Sequence, residues 1–298
     1  MNSIGQYLNN VKARFNLDLA ISDRIAKELY THLEDKSREL KEYGFSKEEA
    51  DRIAIQSLGP PELIARQIYE THAQGSWQEA LFSALPHILF AFLFASYHWQ
   101  NIFSLAIILI LTVGLAVYGW NQGKPLWVFP WLGYYLLPVI AAGILLIYLP
   151  QGWGWIAALS YIPLALFAMV HLVKQTARRD WLYASLMLAP MPVIFSWMLS
   201  LGTGNELLTN SIWMARLQTR VPWIVLSLVV LAGATIGFIR LRSRRYKILC
   251  LLIPPIAISV SVIWIGRGNV DLWGWLIFLL ALFAFIAPAW VRTRNMNS

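Results

Sequence analysis

Charge is scarce in this chain. Of its 298 residues only 13% are charged, against 58% hydrophobic and 14% aromatic. Soluble domains carry about 25% charged residues, so the deficit points to a lipid environment. Acids are scarcer still: after residue 80 there are three, Asp180, Glu206 and Asp271, each in a loop or at the edge of an apolar run. Ion-coupled transporters usually bury a carboxylate at mid-membrane, where an ionised group is costly and persists for function. The sequence places none there. One cysteine, Cys250, excludes an intramolecular disulfide, and its neighbours Leu249, Leu251 and Leu252 put it in an apolar span with no metal-ligand spacing around it. A G-x-x-x-x-G-K-[S/T] loop is missing, so the chain does not energise transport with ATP by itself. No Ser/His/Asp or paired-carboxylate arrangement suggests a hydrolase. The opening MNSIGQYLNNVKARF lacks the apolar core of a signal peptide and is expected to stay on the mature protein. No catalytic, cofactor-binding or metal residue is nominated, and no enzymatic activity is expected.

What is present divides into two parts. Residues 1–80 hold ten Lys/Arg and thirteen Asp/Glu, a net of −3, whereas the remainder holds fourteen bases and three acids, a net of +11. The high isoelectric point therefore belongs to the apolar part and reads as loop charge, not as a nucleic-acid surface. The polar stretch at 22–70 is the only long one, and residues 1–75 read as a small helical head. Ile4, Leu8, Val11 and Phe15 fall at helical spacing. Ser22 is the expected N-cap of a second helix to about Tyr43, with the stripe Ile25, Leu29, Leu33 and Leu40 and with Gly44 as its stop. Ser46 and Glu49 form a capping box ahead of Ala50, Ile53, Ala54 and Leu58. Gly59-Pro60-Pro61 ends that helix, and Pro61-Glu62 suits the first turn of a fourth carrying Leu63, Ile64 and Ile68.

These residues carry a resemblance. Tyr7-Leu8, then Glu28-Leu29-x-x-His32-Leu33-x-Asp35, Gly44-x-Ser46-x-Glu48-Glu49-Ala50 and Leu58-Gly59-x-Pro61-Glu62-Leu63-x-Ala65 resemble the HAAS or permease prefix domain over the first quarter of the chain. Pro60 departs from it, because the family more often has Asp or Asn there. The resemblance implies a cytoplasmic head that stands before varied membrane segments, permeases among them, and that senses or signals in association with PadR-like transcription regulators. It implies no catalytic residues.

From residue 76 onward, eight apolar spans are expected at about 81–99, 102–120, 126–148, 153–173, 181–201, 221–240, 247–265 and 272–291, each near the ~20 residues a membrane helix needs. Trp77, Trp99, Trp120, Trp127, Trp153, Trp181, Trp223, Trp264, Trp273 and Trp290 near their ends read as an aromatic belt. With the head inside, eleven bases fall in inner loops and the tail, five of them in the cluster Arg240, Arg242, Arg244, Arg245 and Lys247. Three, Arg216, Arg220 and Arg267, fall outside, which predicts both termini in the cytoplasm of a multi-pass cell-membrane protein. Pro86, Pro138, Pro190 and Pro254 each sit inside an odd-numbered span. Two late hairpins also share Gly-x-Gly-Asn, at 202–205 and 266–269, which suggests duplicated hairpins with proline kinks. The fold class expected is all-α: a helical head on a membrane bundle.

Polar candidates are few. Glu28, His32 and Asp35 share one helix face, read as solvated and supported by helix-spaced ion pairs such as Glu28–Arg24, with a metal or proton site as the alternative. His87, beside Pro86, is expected to be a neutral imidazole in a helix–helix hydrogen bond, with a proton relay as the alternative. His98 and His171 lie near span ends, where water serves them. The outer loop at 205–220, with Leu208, Ile212 and Ala215 in helical register, is expected to form a short interfacial helix. The head's negative charge and the basic inner rim predict weak, salt-sensitive attraction. The function expected is a non-enzymatic membrane sensor or regulator whose head binds a protein partner. The alternative is a permease or a transporter's membrane subunit.

Overall fold

Four short amphipathic helices make the first of two units in a computed structural model of the chain. The structure describes residues 3–14, 19–72, 74–123, 125–136, 159, 161, 163–164, 167, 169–176, 181–201, 211–266, 274–276, 278–283 and 285–286; among them every regular element is helical. The first unit is Met1–Gln74 with Arg242–Arg244, and the second is Gly75–Leu241 with Arg245–Ser298.

In the first unit α1 (Ser3–Ala13), α2 (Leu19–Glu42), α3 (Lys47–Leu58) and α4 (Pro61–His72) pool their apolar faces. Ile4, Tyr7, Leu8, Val11, Ile25, Leu33, Ala54 and Ala65 form the core. The stops are local chemistry. Gly44 has φ +93°, and its N–H reaches Lys41 O at 2.9 Å while Phe45 N–H reaches Leu40 O at 3.3 Å, the paired bonds of a Schellman turn. Ser46 caps α3 with the reciprocal Glu49 bond. Gly59, at φ +103°, ends α3, and Pro61 opens α4.

Three expectations change here. Ser22 is not the cap of α2 but lies buried inside it, because the helix already begins at Leu19, a turn before the stripe Ile25, Leu29 and Leu33. Leu63 is exposed, and Ala65 and Tyr69 are buried in its place on α4. No Glu28–Arg24 pair forms among the described residues. The exposed pairs are Lys12–Asp23, Arg14–Glu62, Lys36–Glu39, Arg38–Asp35 and Arg66–Glu70, because solvent competes for long side chains on an open face. Phe15 lies outside the described residues.

One acid is buried. Asp51 accepts from Ser37 Oγ at 2.6 Å and from Ser3 Oγ at 3.3 Å, tying α3 to α2 and α1. Tyr7 Oη donates to Gly59 O at 2.8 Å. Burial, and then the nearby Glu62 charge, hold the Tyr7 phenol above the ordinary tyrosine pKa. Arg242 Nε donates to Gln74 Oε1 at 2.8 Å, and the Arg244 guanidinium lies 5.4 Å from the centre of the Tyr69 ring.

The second unit has α5 (Trp77–Ala95), a 3₁₀ turn at His98–Gln100, α6 (Ile102–Asn121), α7 (Trp181–Leu188), α8 (Pro190–Leu201), α9 (Ser211–Arg240) and α10 (Arg244–Ile265). Among the described residues five stretches are long and apolar enough to cross a membrane: Trp77–Ala95, Phe103–Asn121, Trp181–Leu201, Ala215–Arg240 and Arg244–Ile265. This is a multi-pass helical membrane architecture. The Trp181–Leu201 stretch is 78% buried and Phe103–Asn121 17%, so the first is interior and the second is largely exposed. The expected spans at 126–148, 153–173 and 272–291 lie only partly within the described residues, where 128–136, 169–176 and the pieces of 274–286 are helical.

Span ends also differ from expectation. The first begins at Trp77, not at 81, because Ser76 and Glu79 make a second capping box; it ends at Ala95, before Tyr97 at φ +58°. Of the 205–220 stretch expected as a short helix, residues 211–220 are the opening turns of α9, and 205–210 lie outside the described residues. Leu217, Val221, Ile224, Leu228 and Leu231 are one continuous buried stripe, so the helix runs through Pro222 to keep it. Lys247 is no loop residue: it is buried in the second turn of α10, with Nζ 5.0 Å from the centre of the Phe238 ring.

Asp51→Ala strands the buried Ser37 hydroxyl inside the first unit, a loss of about 1–3 kcal/mol. Hydrogen exchange on the full chain should show faster opening of α1–α3 for this variant and little change for Asp23→Ala, whose Lys12 pair is exposed.

Candidate functional site

Pro86 lacks an N–H and so deprives Phe82 O, four residues back on α5, of its helical donor. In an apolar medium that carbonyl needs another donor. The Trp131 indole Nε1–H supplies it at 3.0 Å. Trp131 is fully buried on the helical run 128–136, and three residues on the same run presents Tyr134, also fully buried.

Next to Pro86 stands His87, itself fully buried. Nδ1 is 2.8 Å from Tyr134 Oη and Nε2 is 3.0 Å from Thr235 Oγ1 of α9. A neutral imidazole has one donor and one acceptor, and either tautomer satisfies both hydroxyls. The expected helix–helix hydrogen bond is therefore doubled, and it links three segments. Phe90 stacks on Tyr134 with centroids 4.5 Å apart and walls the ring in. Ser83 Oγ, one turn before His87, is buried and without a hydrogen-bond partner among the described residues. The arrangement offers hydroxyls and a neutral ring: groups that can hold helices in register or orient a polar ligand.

Two close backbone approaches lock the same region. At Gly133 a Cβ would overlap the Met187 carbonyl oxygen, so 128–136 lies directly against α7. At Gly75 a Cβ would sit 2.6 Å from Ile239 Cγ2. Gly75 N–H donates to Ile239 O at 3.0 Å, and Arg240 Nη1 donates back to Gly75 O at 2.9 Å. The Arg240 guanidinium covers Trp77 at 4.5 Å. The end of α9 is thus clipped to the start of α5, and a base there also suits the helix's C-terminal dipole.

The remaining sequence candidates are dispersed. Glu28, His32 and Asp35 are exposed on α2, and His98 is exposed in the 3₁₀ turn. His171 is exposed with its ring 6.1 Å from Phe167. Cys250 Sγ donates to Ala234 O at 3.3 Å, packing α10 on α9. Pro190 separates α7 from α8, and the Leu186 carbonyl it frees accepts Ala189 N–H at 3.4 Å. Asp180, Glu206, Asp271, Pro138 and both Gly-x-Gly-Asn loops lie outside the described residues, save Gly266. Tyr134, Thr235 and Trp131 were not singled out from sequence. The usable signal was an indole and a phenol away from span ends, since each needs a partner in lipid.

Comparison with protein-family models, with curated proteins and with solved structures returned no match.

Trp131→Phe leaves Phe82 O without a donor and is expected to cost about 1–3 kcal/mol. Thermal unfolding in detergent should place it well below wild type, while Trp223→Phe, at an exposed ring, melts with wild type.

Proposed function

We propose that this protein is a non-enzymatic membrane sensor or regulator, with a cytoplasmic head at residues 1–75 that binds a protein partner of the PadR-like regulator kind. In this reading eight helices cross the cell membrane and both termini are cytoplasmic, supported by the eleven-to-three bias of bases between loops. The observation that carries it is at the α2–α3 turn. Tyr43 is 75% exposed and Phe45 44%, on either side of the fixed Gly44 turn. Two aromatic side chains held out by a rigid turn, amid Glu39, Glu42 and Glu48, suit a partner with an apolar pocket and a basic rim. The resemblance of the head supplies the kind of partner.

A second reading has its own observation. The most buried span is broken at Ala189-Pro190, and broken helices line substrate paths in transporters. Under it the protein is a permease or a transporter's membrane subunit, and substrate-dependent flux in proteoliposomes decides for it.

The regulator reading predicts that full-length protein in nanodiscs retains a DNA-binding regulator from native lysate. A Tyr43→Ser/Phe45→Ser chain should lose at least about tenfold of that retention, as expected when two interface anchors of more than ~1 kcal/mol each are removed. Equal retention by both chains contradicts the reading.

A further inference from the structure

On α9 the residues Arg220, Trp223, Ser227 and Val230 recur at steps of three and four and so share one helix face. They form one wall of a groove of about 310 Å³, with Ile258 and Val262 of α10 opposite. Trp197 of α8 also lines it. Two of its polar side chains are engaged with each other and with α9, since Trp197 Nε1 donates to Ser227 Oγ at 3.2 Å and that hydroxyl donates to Trp223 O at 2.8 Å; the Ser261 hydroxyl also lines it. The lining is otherwise apolar, and one charge, Arg220, stands at one end.

Length and charge together select an occupant. Arg220 to Val230 is ten residues, about 15 Å of helix at ~1.5 Å per residue, or half of the ~30 Å hydrocarbon core. One leaflet's acyl chain matches that run. The volume lies at the small end of ligand sites, enough for a single chain. Trp223 is exposed at the charged end, as a residue at the headgroup level would be. Arg216, one turn earlier at i−4 from Arg220, stands just outside the groove lining, and its buried Nη1 meets no acceptor among the described residues. None of the ion pairs among those residues uses Arg220. Two guanidinium groups one turn apart match a phosphodiester, which accepts paired N–H bonds.

We infer that the groove between α9 and α10 holds an anionic phospholipid, with its phosphate at Arg220 and Arg216 and one acyl chain laid towards Val230. A cation is repelled there, and a free phosphate leaves the apolar run unfilled. The site is separate from the His87 cluster and from the head, so its failure leaves the proposed regulator role standing.

The test uses the full chain in phosphatidylcholine nanodiscs with and without phosphatidylglycerol, released into mild detergent, with retained lipid counted by native mass spectrometry. Wild type should keep phosphatidylglycerol over phosphatidylcholine, each arginine contributing about fivefold. Arg220→Gln should lose about fivefold of that preference. Ala257→Trp, at an exposed groove position, fills the apolar run with both charges intact and should abolish retention of either lipid. An unchanged preference in Arg220→Gln, or undiminished retention in Ala257→Trp, overturns the assignment. If Arg220→Gln fails to fold, Ala257→Trp decides alone.

Discussion

A carbonyl without a donor is tolerable in water and expensive in lipid. Pro86 creates one at Phe82 in the middle of α5, and the second unit is arranged around its satisfaction. The Trp131 indole must lie against α5, which fixes the run 128–136 there. That run brings Tyr134 to His87, and the other His87 nitrogen fixes Thr235 of α9. Gly133, by admitting the Met187 carbonyl, draws the interior helix α7 onto the same run. A single proline thus sets which side chains four segments must bring together. The Gly75–Ile239–Arg240 clip closes the pair α5–α9 at one end, where Trp77 and Arg240 stack.

How much of this the sequence discloses depends on how local the interaction is. The Ser46–Glu49 box, the Gly44 turn and the Pro61 start were legible, because each needs residues within a turn of one another. The Ser76–Glu79 box is equally local. An apolar window takes no account of caps, so the expected start of that span fell inside the helix. Asp51, Ser22 and Leu63 went the other way: whether each is buried depends on the packing of other helices, which a helical stripe does not report. His87 was legible as a candidate, but its partners stand 47 and 148 residues away, and no spacing rule reaches that far. Lys247 illustrates the same gap, since a base at the end of a loop cluster reads as topology until Phe238 covers it.

The two units divide the chemistry between them. In the second, the His87 ring spends both nitrogens on holding helices, so its imidazole serves architecture before any proton traffic. In the first, Asp51 and Tyr7 join three helices and a turn, which leaves the α2–α3 end as a rigid platform for Tyr43 and Phe45. The proposed role rests on that surface and on the head's resemblance, whereas the packing around Pro86 stands on geometry alone.

The most direct test of that packing is a double-mutant cycle on His87→Phe and Thr235→Val, with unfolding of the full chain followed in mixed micelles. The hydrogen bond between α5 and α9 predicts a coupling of about 0.5 kcal/mol or more, with the double variant less damaged than the two single losses together. Strictly additive losses would contradict it.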